Sequence, residues 1–183
     1  MGRRLCRIAL VVAAVAALVP ASAAAAAEPN CGITWGSELK TAPAPARATA
    51  GTGSSVTDVR GEQQACFDRL VFDVQAAGRY YVEYVPEVSA DATGDPVPLR
   101  GGAFLVVVAG NPAYDEAWNV TYHPADLTEM VDVTGWRTFR QVAWANSWEG
   151  DTTVGLGVRA RLPFRVLHLE DPPRLVVDVA HQW

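Results

Sequence analysis

The chain has 183 residues, half of them hydrophobic, and carries 15 Lys and Arg against 20 Asp and Glu, a formal charge of −5. With Lys40 as its one lysine and its arginines scattered along the sequence, it lacks the clustered basic surface that nucleic acid or an anionic membrane requires, so neither is expected as a partner. The length suits one domain with a substantial core.

Residues 1–27 read as a signal peptide. Arg3, Arg4 and Arg7 form a positive leader, Ile8 to Val19 is an apolar run too short for a stable anchor, and Ala21-Ser22-Ala23 supplies a small-x-small cleavage pattern after Pro20. No membrane span is expected after cleavage, and the product is expected to be secreted or held in the cell envelope. Three arginines leave with the leader, so the formal charge falls from −5 to −8. Cys6 leaves as well, and Cys31 and Cys66 remain as a pair in an oxidising compartment, where a disulfide is the expected state. A redox or metal pair would need CxxC spacing or nearby histidines, and this pair has neither.

Residues 28–55 read as a flexible N-terminal segment. Thr41 to Ser55 is rich in Pro, Ala and Gly, has no large apolar side chain and cannot drive burial. Trp35 is expected to be pinned back onto the domain by the Cys31 to Cys66 tether.

The main domain is expected over 56–183. Cys66 to Val74 and Arg79 to Val88 are alternating runs joined by Gln75-Ala76-Ala77-Gly78, which reads as a hairpin. The block Leu105-Val106-Val107-Val108 reads as a strand buried on both faces. Asn111 to Thr134 reads as loop, with at most one helical turn in Asp126 to Val131. Strand signals resume at Trp136 to Trp144 and Thr152 to Ala160. In the latter, Gly155 and Gly157 imply a bulge or close backbone approach while Val154, Leu156 and Val158 face one way. Two last strands flank the turn Glu170-Asp171-Pro172-Pro173, and in the second Leu175, Val177 and Val179 oppose Arg174, Val176 and Asp178. No helical period persists after the leader, so the expected fold is all-β, a β-sandwich of about seven to nine mostly antiparallel strands.

The ending PFRVLHLEDPPRLVVDV, with Cys66-Phe67-Asp68-Arg69-Leu70-Val71-Phe72, Trp148-Glu149-Gly150 and Gly155-Leu156-Gly157, resembles the AMIN-like domain of secreted bacterial proteins, a relative of the module that accompanies cell-wall amidases. The resemblance covers nearly all of the chain after the leader. It implies a β-sandwich that binds rather than reacts, set in the cell envelope, with peptidoglycan glycan or an envelope protein as partner. No amidase segment is expected to follow Trp183, and no peptidoglycan-reading residue transfers position by position.

No catalytic residue, cofactor or metal is expected. His123, His168 and His181 are not spaced as ligands; His168 reads as a structural strand residue and His181 as an exposed one. HExxH, GxSxG, Walker and dinucleotide motifs are missing. Asp91-Ala92-Thr93-Gly94-Asp95 lacks the ligand alternation of a calcium loop, and Asn119-Val120-Thr121 is an incidental sequon in a bacterial-type sequence. Glu149 and Asp151 read as turn residues before they read as a carboxylate pair. Trp136, Trp144 and Trp148 crowd one region beside Arg137, Arg140 and Glu149, where they either fill the core or offer rings for stacking. The candidate binding residues are Trp148, Glu149, Arg174 and Asp178, although Arg174 and Asp178 read first as a structural ion pair. Two other functions fit the same composition: a carrier of a small apolar ligand between the sheets, and a carboxylate-dependent hydrolase.

Overall fold

The computed structural model describes residues 31–44 and 54–183, so the stretch 1–27 read as a signal peptide and most of the Pro/Ala/Gly-rich stretch lie outside the described residues. The described residues form strands and no helix: β1 (Lys40–Ala42), β2 (Val56–Gln63), β3 (Phe67–Val74), β4 (Tyr80–Val85), β5 (Val88–Ser89), β6 (Pro96–Val97), β7 (Ala103–Ala109), β8 (Phe139–Trp148), β9 (Asp151–Val158), β10 (Phe164–Leu169) and β11 (Arg174–Ala180). One sheet has the order β1-β4-β7-β9-β8, a second the order β10-β11-β3-β2, and β5 pairs with β6 in a small ribbon. All pairings are antiparallel. This is the expected all-β sandwich.

The core follows from period-two alternation. Leu70, Phe72, Leu175, Val177 and Val179 of the four-stranded sheet meet Val82, Leu105, Val107, Val154, Leu156 and Val158 of the five-stranded one, with Phe139 and Phe164 at the ends. Each such side chain contributes about 1.5 to 3 kcal/mol by leaving water. These side chains occupy the space between the sheets and are nearly or fully buried, so the apolar-carrier alternative finds no support in the packing of this core.

Two strand readings are corrected. The run ending at Val74 and the run starting at Arg79 are not a hairpin: β3 pairs with β2 and β11, while β4 pairs with β1 and β7. Residues 75–78 instead carry the chain from one sheet to the other. Gly78 is needed at that crossing because a Cβ there would overlap the Gly110 carbonyl. The β7 block is also not buried on both faces. Leu105, Val107 and Ala109 are buried, but Phe104, Val106 and Val108 on the outer face are half-buried.

Residues lying over β9 explain its strand glycines. Leu99 and Val88 lie over Gly155, and the Arg100 carbonyl approaches Gly157 so closely that an added Cβ would overlap it. The close backbone approach read from Gly155 and Gly157 is therefore present, and Val154, Leu156 and Val158 do face the core together. Gly157→Ala should lower the unfolding free energy by about 2 kcal/mol, because the obstacle is backbone and cannot swing aside. Urea denaturation checks this; an unchanged midpoint would contradict the close approach.

The two open sides of the sandwich are closed differently. On one, residues 110–138 run between β2 and β8: Val56 N donates to Pro112 O at 2.8 Å, Met130 N to Val142 O at 2.8 Å and Trp144 N to Leu127 O at 2.7 Å. On the other, the N-terminal segment packs down. Cys31 and Cys66 form the expected disulfide, Trp35 meets Phe67 edge-on at 5.5 Å, and Phe164 N donates to Gly36 O at 2.9 Å. Lys40–Ala42 then adds an edge strand against Tyr80–Val82, so the sandwich starts before Val56.

Candidate functional site

A fully buried carboxylate, Asp178, lies on the outer face of the four-stranded sheet. Arg165 on β10 and Arg69 on β3 stand opposite Asp178 on β11 in the same cross-strand row, where facing side chains are close enough to pair. Arg69 grips the carboxylate with two bonds, Nε to Oδ1 at 2.7 Å and Nη2 to Oδ2 at 2.9 Å, and Arg165 Nε adds a third at 2.8 Å. The hydrogen bond to Asp178 raises Arg69 above the usual guanidinium range. The Arg165 guanidinium lies 4.3 Å from the Trp35 ring centroid, so the docked N-terminal segment roofs the cluster. Asp178 is fully buried; it holds the fold and is not offered to a ligand.

Arg174 is not its partner. Arg174 stands opposite Leu169 and Asp73, and its Nε donates to Pro172 O at 3.1 Å. The Arg174–Asp178 ion pair is thus corrected: Asp178 already has two arginines in its own row, and Arg174 sits four residues along the strand from it. The four candidate binding residues are not brought together. Arg174 and Asp178 belong to the four-stranded sheet, whereas Trp148 and Glu149 sit at the β8–β9 turn of the five-stranded one.

That turn has two residues, Glu149 (φ 48°) and Gly150 (φ 90°), between the paired Trp148 and Asp151. Both central residues being left-handed gives the type I′ geometry that suits the twist of a hairpin. Trp148 is 53% exposed. Asp151 pairs with Arg79, and burial still holds its carboxyl above the ordinary range against that partner. Glu149 is a turn residue, as read from the sequence, whereas Asp151 is the first residue of β9.

The other two tryptophans of the region are half-buried. Trp144 tilts against Tyr122 at 6.0 Å, whose phenol is pushed up to about 12, first by burial and then by Asp58. Trp136 stacks on Phe139 at 5.9 Å and 20° and fills the space over Gly61, where an added Cβ would stand 2.8 Å from the ring. Its remaining surface helps line a cleft of about 430 Å³ shared with Arg100, Glu129, Phe139 and Arg140. Arg100 forks onto Glu129 and donates to Arg140 O at 2.9 Å. Arg140 Nη1 donates to Trp136 O and Phe139 O, both at 2.9 Å. The cleft therefore has a fixed aromatic wall and two guanidiniums held in place.

His181 is buried, not exposed. Its Nδ1 lies 3.0 Å from Thr138 Oγ1, and its Nε2 lies 3.0 Å from Gln64 O and 3.9 Å from Asp68 Oδ1. Asp68 Oδ2 accepts from Thr138 N at 2.7 Å and Phe139 N at 2.8 Å. The trio resembles a nucleophile, base and acid by composition, but Thr138 is fully buried and cannot meet a substrate. It works as a latch joining β3, the start of β8 and the C-terminus. The sequence missed it because terminal position says nothing about burial when the last strand is central. His168 packs edge-on against Tyr80 at 5.2 Å and is lowered by burial, the structural role read for it. Among the described residues no three His, Cys, Asp or Glu side chains converge to hold a metal ion.

Sequence reasoning also passed over Trp118 and Tyr114, which sit beside the β8–β9 turn. Trp118 is 74% exposed and stacks on Tyr114 at 4.8 Å and 14°, and Tyr114 Oη accepts from Gly150 N at 3.1 Å. The available signal was a tryptophan set among Asp115, Glu116 and Asn119, with no large apolar residue directly beside it.

These features define a disulfide-tied, all-β sandwich with aromatic surfaces at its periphery. The AMIN-like domain model matches residues 54–181, and the chain belongs to that family. No curated protein and no solved structure matches it.

Proposed function

We propose that this chain is an exported, non-catalytic module that attaches to the cell envelope, at peptidoglycan or at an envelope protein, through the cleft walled by Trp136. Its place in the AMIN-like family supports an envelope-associated binding role, and the disulfide fits an oxidising, exported setting. The observation that carries the reading is the cleft itself. A flat ring with one side packed and one side open, beside arginines and a glutamate at fixed positions, suits a polar ligand with an apolar face.

The test is co-sedimentation with purified sacculi. The protein should be retained at low and moderate salt, and Trp136→Phe should reduce retention several-fold, since a smaller ring keeps the packing on Phe139 but surrenders cleft surface. Lack of retention of the unmodified protein at both salt levels would remove the peptidoglycan reading, and unaltered retention of Trp136→Phe would remove the cleft.

A further inference from the structure

The residues 113–121 form a loop built to hold one side chain outward. Its ends are joined by the Tyr114–Val120 bridge and by Thr121 N to Ala113 O at 2.9 Å. Inside it, the Asp115 carboxylate accepts from Ala117 N at 2.9 Å, Asn119 N at 2.8 Å and Asn119 Nδ2 at 2.9 Å, and the Asn119 bonds hold that carboxyl below the usual range. The loop is tied to the rest of the molecule by Ala113 N to Ser147 Oγ at 2.8 Å and Ser55 Oγ to Tyr114 O at 3.0 Å. At its tip Trp118 takes a left-handed backbone (φ 64°), which a bulky side chain adopts only when its surroundings force it. Trp118 and Glu149 are the two non-glycine residues with positive φ among the described residues. They lie on the two loops that the Gly150 to Tyr114 hydrogen bond joins.

We infer that Trp118, backed by Tyr114, is a stacking platform for the flat face of a pyranose ring in a β-linked oligosaccharide. The indole has one face covered by Tyr114 and the other open, the arrangement that leaves a single flat surface for a ligand. A pyranose with equatorial substituents presents a face of C–H groups that covers an aromatic ring, and its hydroxyls need acceptors at the ring edge. Glu116, two residues before Trp118 in the same loop, and Glu149, in the turn whose Gly150 N bonds Tyr114, are exposed and can supply them. The same two carboxylates disfavour an anionic lipid surface, and the platform stands on a narrow loop tip rather than in a groove that would seat a helix or strand. This inference rests on the envelope-binding reading but places glycan contact on a different surface from the Trp136 cleft.

The experiment is a titration with chitotetraose, the β-1,4 tetramer of N-acetylglucosamine, followed by calorimetry and tryptophan fluorescence. Binding should weaken at least tenfold in Trp118→Ala and severalfold in Glu116→Gln. Trp118 is mostly exposed, so its replacement should keep the unfolding midpoint, which verifies that lost binding is not lost folding. Equal affinity in Trp118→Ala would overturn the platform, as would absence of binding by the unmodified protein at millimolar sugar. Trp118-dependent binding to phosphatidylglycerol vesicles in place of the sugar would overturn it too. Sacculus retention that survives Trp118→Ala, with no chitotetraose binding, would discard the platform and keep the broader reading; chitotetraose binding without sacculus retention would do the reverse.

Discussion

Asp178→Ala is expected to lower the unfolding free energy by about 3 kcal/mol, one of the two largest effects in this molecule, because it leaves two guanidiniums facing a pocket made for a carboxylate. The size comes from what remains rather than from what is lost. Replacing both partners of a buried pair by apolar residues is often neutral, whereas removing one strands the other. Here the arginine side chains keep 20% and 35% of their surface, so they can partly turn to water, which holds the estimate at the low end of the range. A comparison within the same sheet sharpens it. Asp73 pairs with Arg60 where both are substantially exposed, and Asp73→Ala should cost at most about 1 kcal/mol. Urea denaturation of both variants separates the cases, and Asp178→Leu combined with Arg69→Met and Arg165→Met should recover much of the loss. A loss below about 1 kcal/mol in Asp178→Ala would mean that the row is solvated like a surface pair and that its burial carries no electrostatic weight.

The same row shows what the sequence could and could not disclose. Alternation in Arg174 to Val179 correctly put Leu175, Val177 and Val179 in the core and Asp178 on the other face. It could not say that Arg69, more than a hundred residues earlier, would stand opposite, because period two assigns a face and never a neighbouring strand. The β3–β4 error has the same root. Two alternating runs with a short Gly-containing link satisfy a hairpin and a sheet-to-sheet crossing equally, and only the β3–β11 and β4–β7 registers decide. The Trp136–Trp148 region was legible as an aromatic concentration, and the family resemblance was carried by real strand segments. Which ring ends up covered depends on the loop over residues 110–138, whose path is set by scattered hydrogen bonds such as Thr121 Oγ1 to Val56 O at 2.8 Å. No periodicity records such contacts, so Trp118 escaped notice while Trp144, half-buried against Tyr122, drew it.

Breaking the disulfide should be the other large perturbation. The bridge spans 35 residues of sequence, and restricting a loop of that size in the unfolded chain is worth about 3 to 4 kcal/mol. The double variant Cys31→Ala with Cys66→Ala should therefore melt about 10 °C lower, given the few degrees per kcal/mol typical of a domain of this length. Location adds a local consequence. Cys66 sits at the start of β3, and Cys31 anchors the segment that brings Trp35 to Phe67 and Arg165, Gly36 O to Phe164 N, and Ser37 to Arg161. Without the tether each of these contacts must hold a free chain end by itself, and docking loses the entropy advantage of a closed loop. Amide exchange in the unbridged protein should accordingly accelerate first at Lys40–Ala42 and at Phe164, ahead of the β3 and β9 core strands. Uniform acceleration across all strands, or an unchanged melting temperature, would show that the N-terminal segment stays seated through its aromatic and arginine contacts alone, and that the bridge adds nothing to a roof already fixed over Asp178.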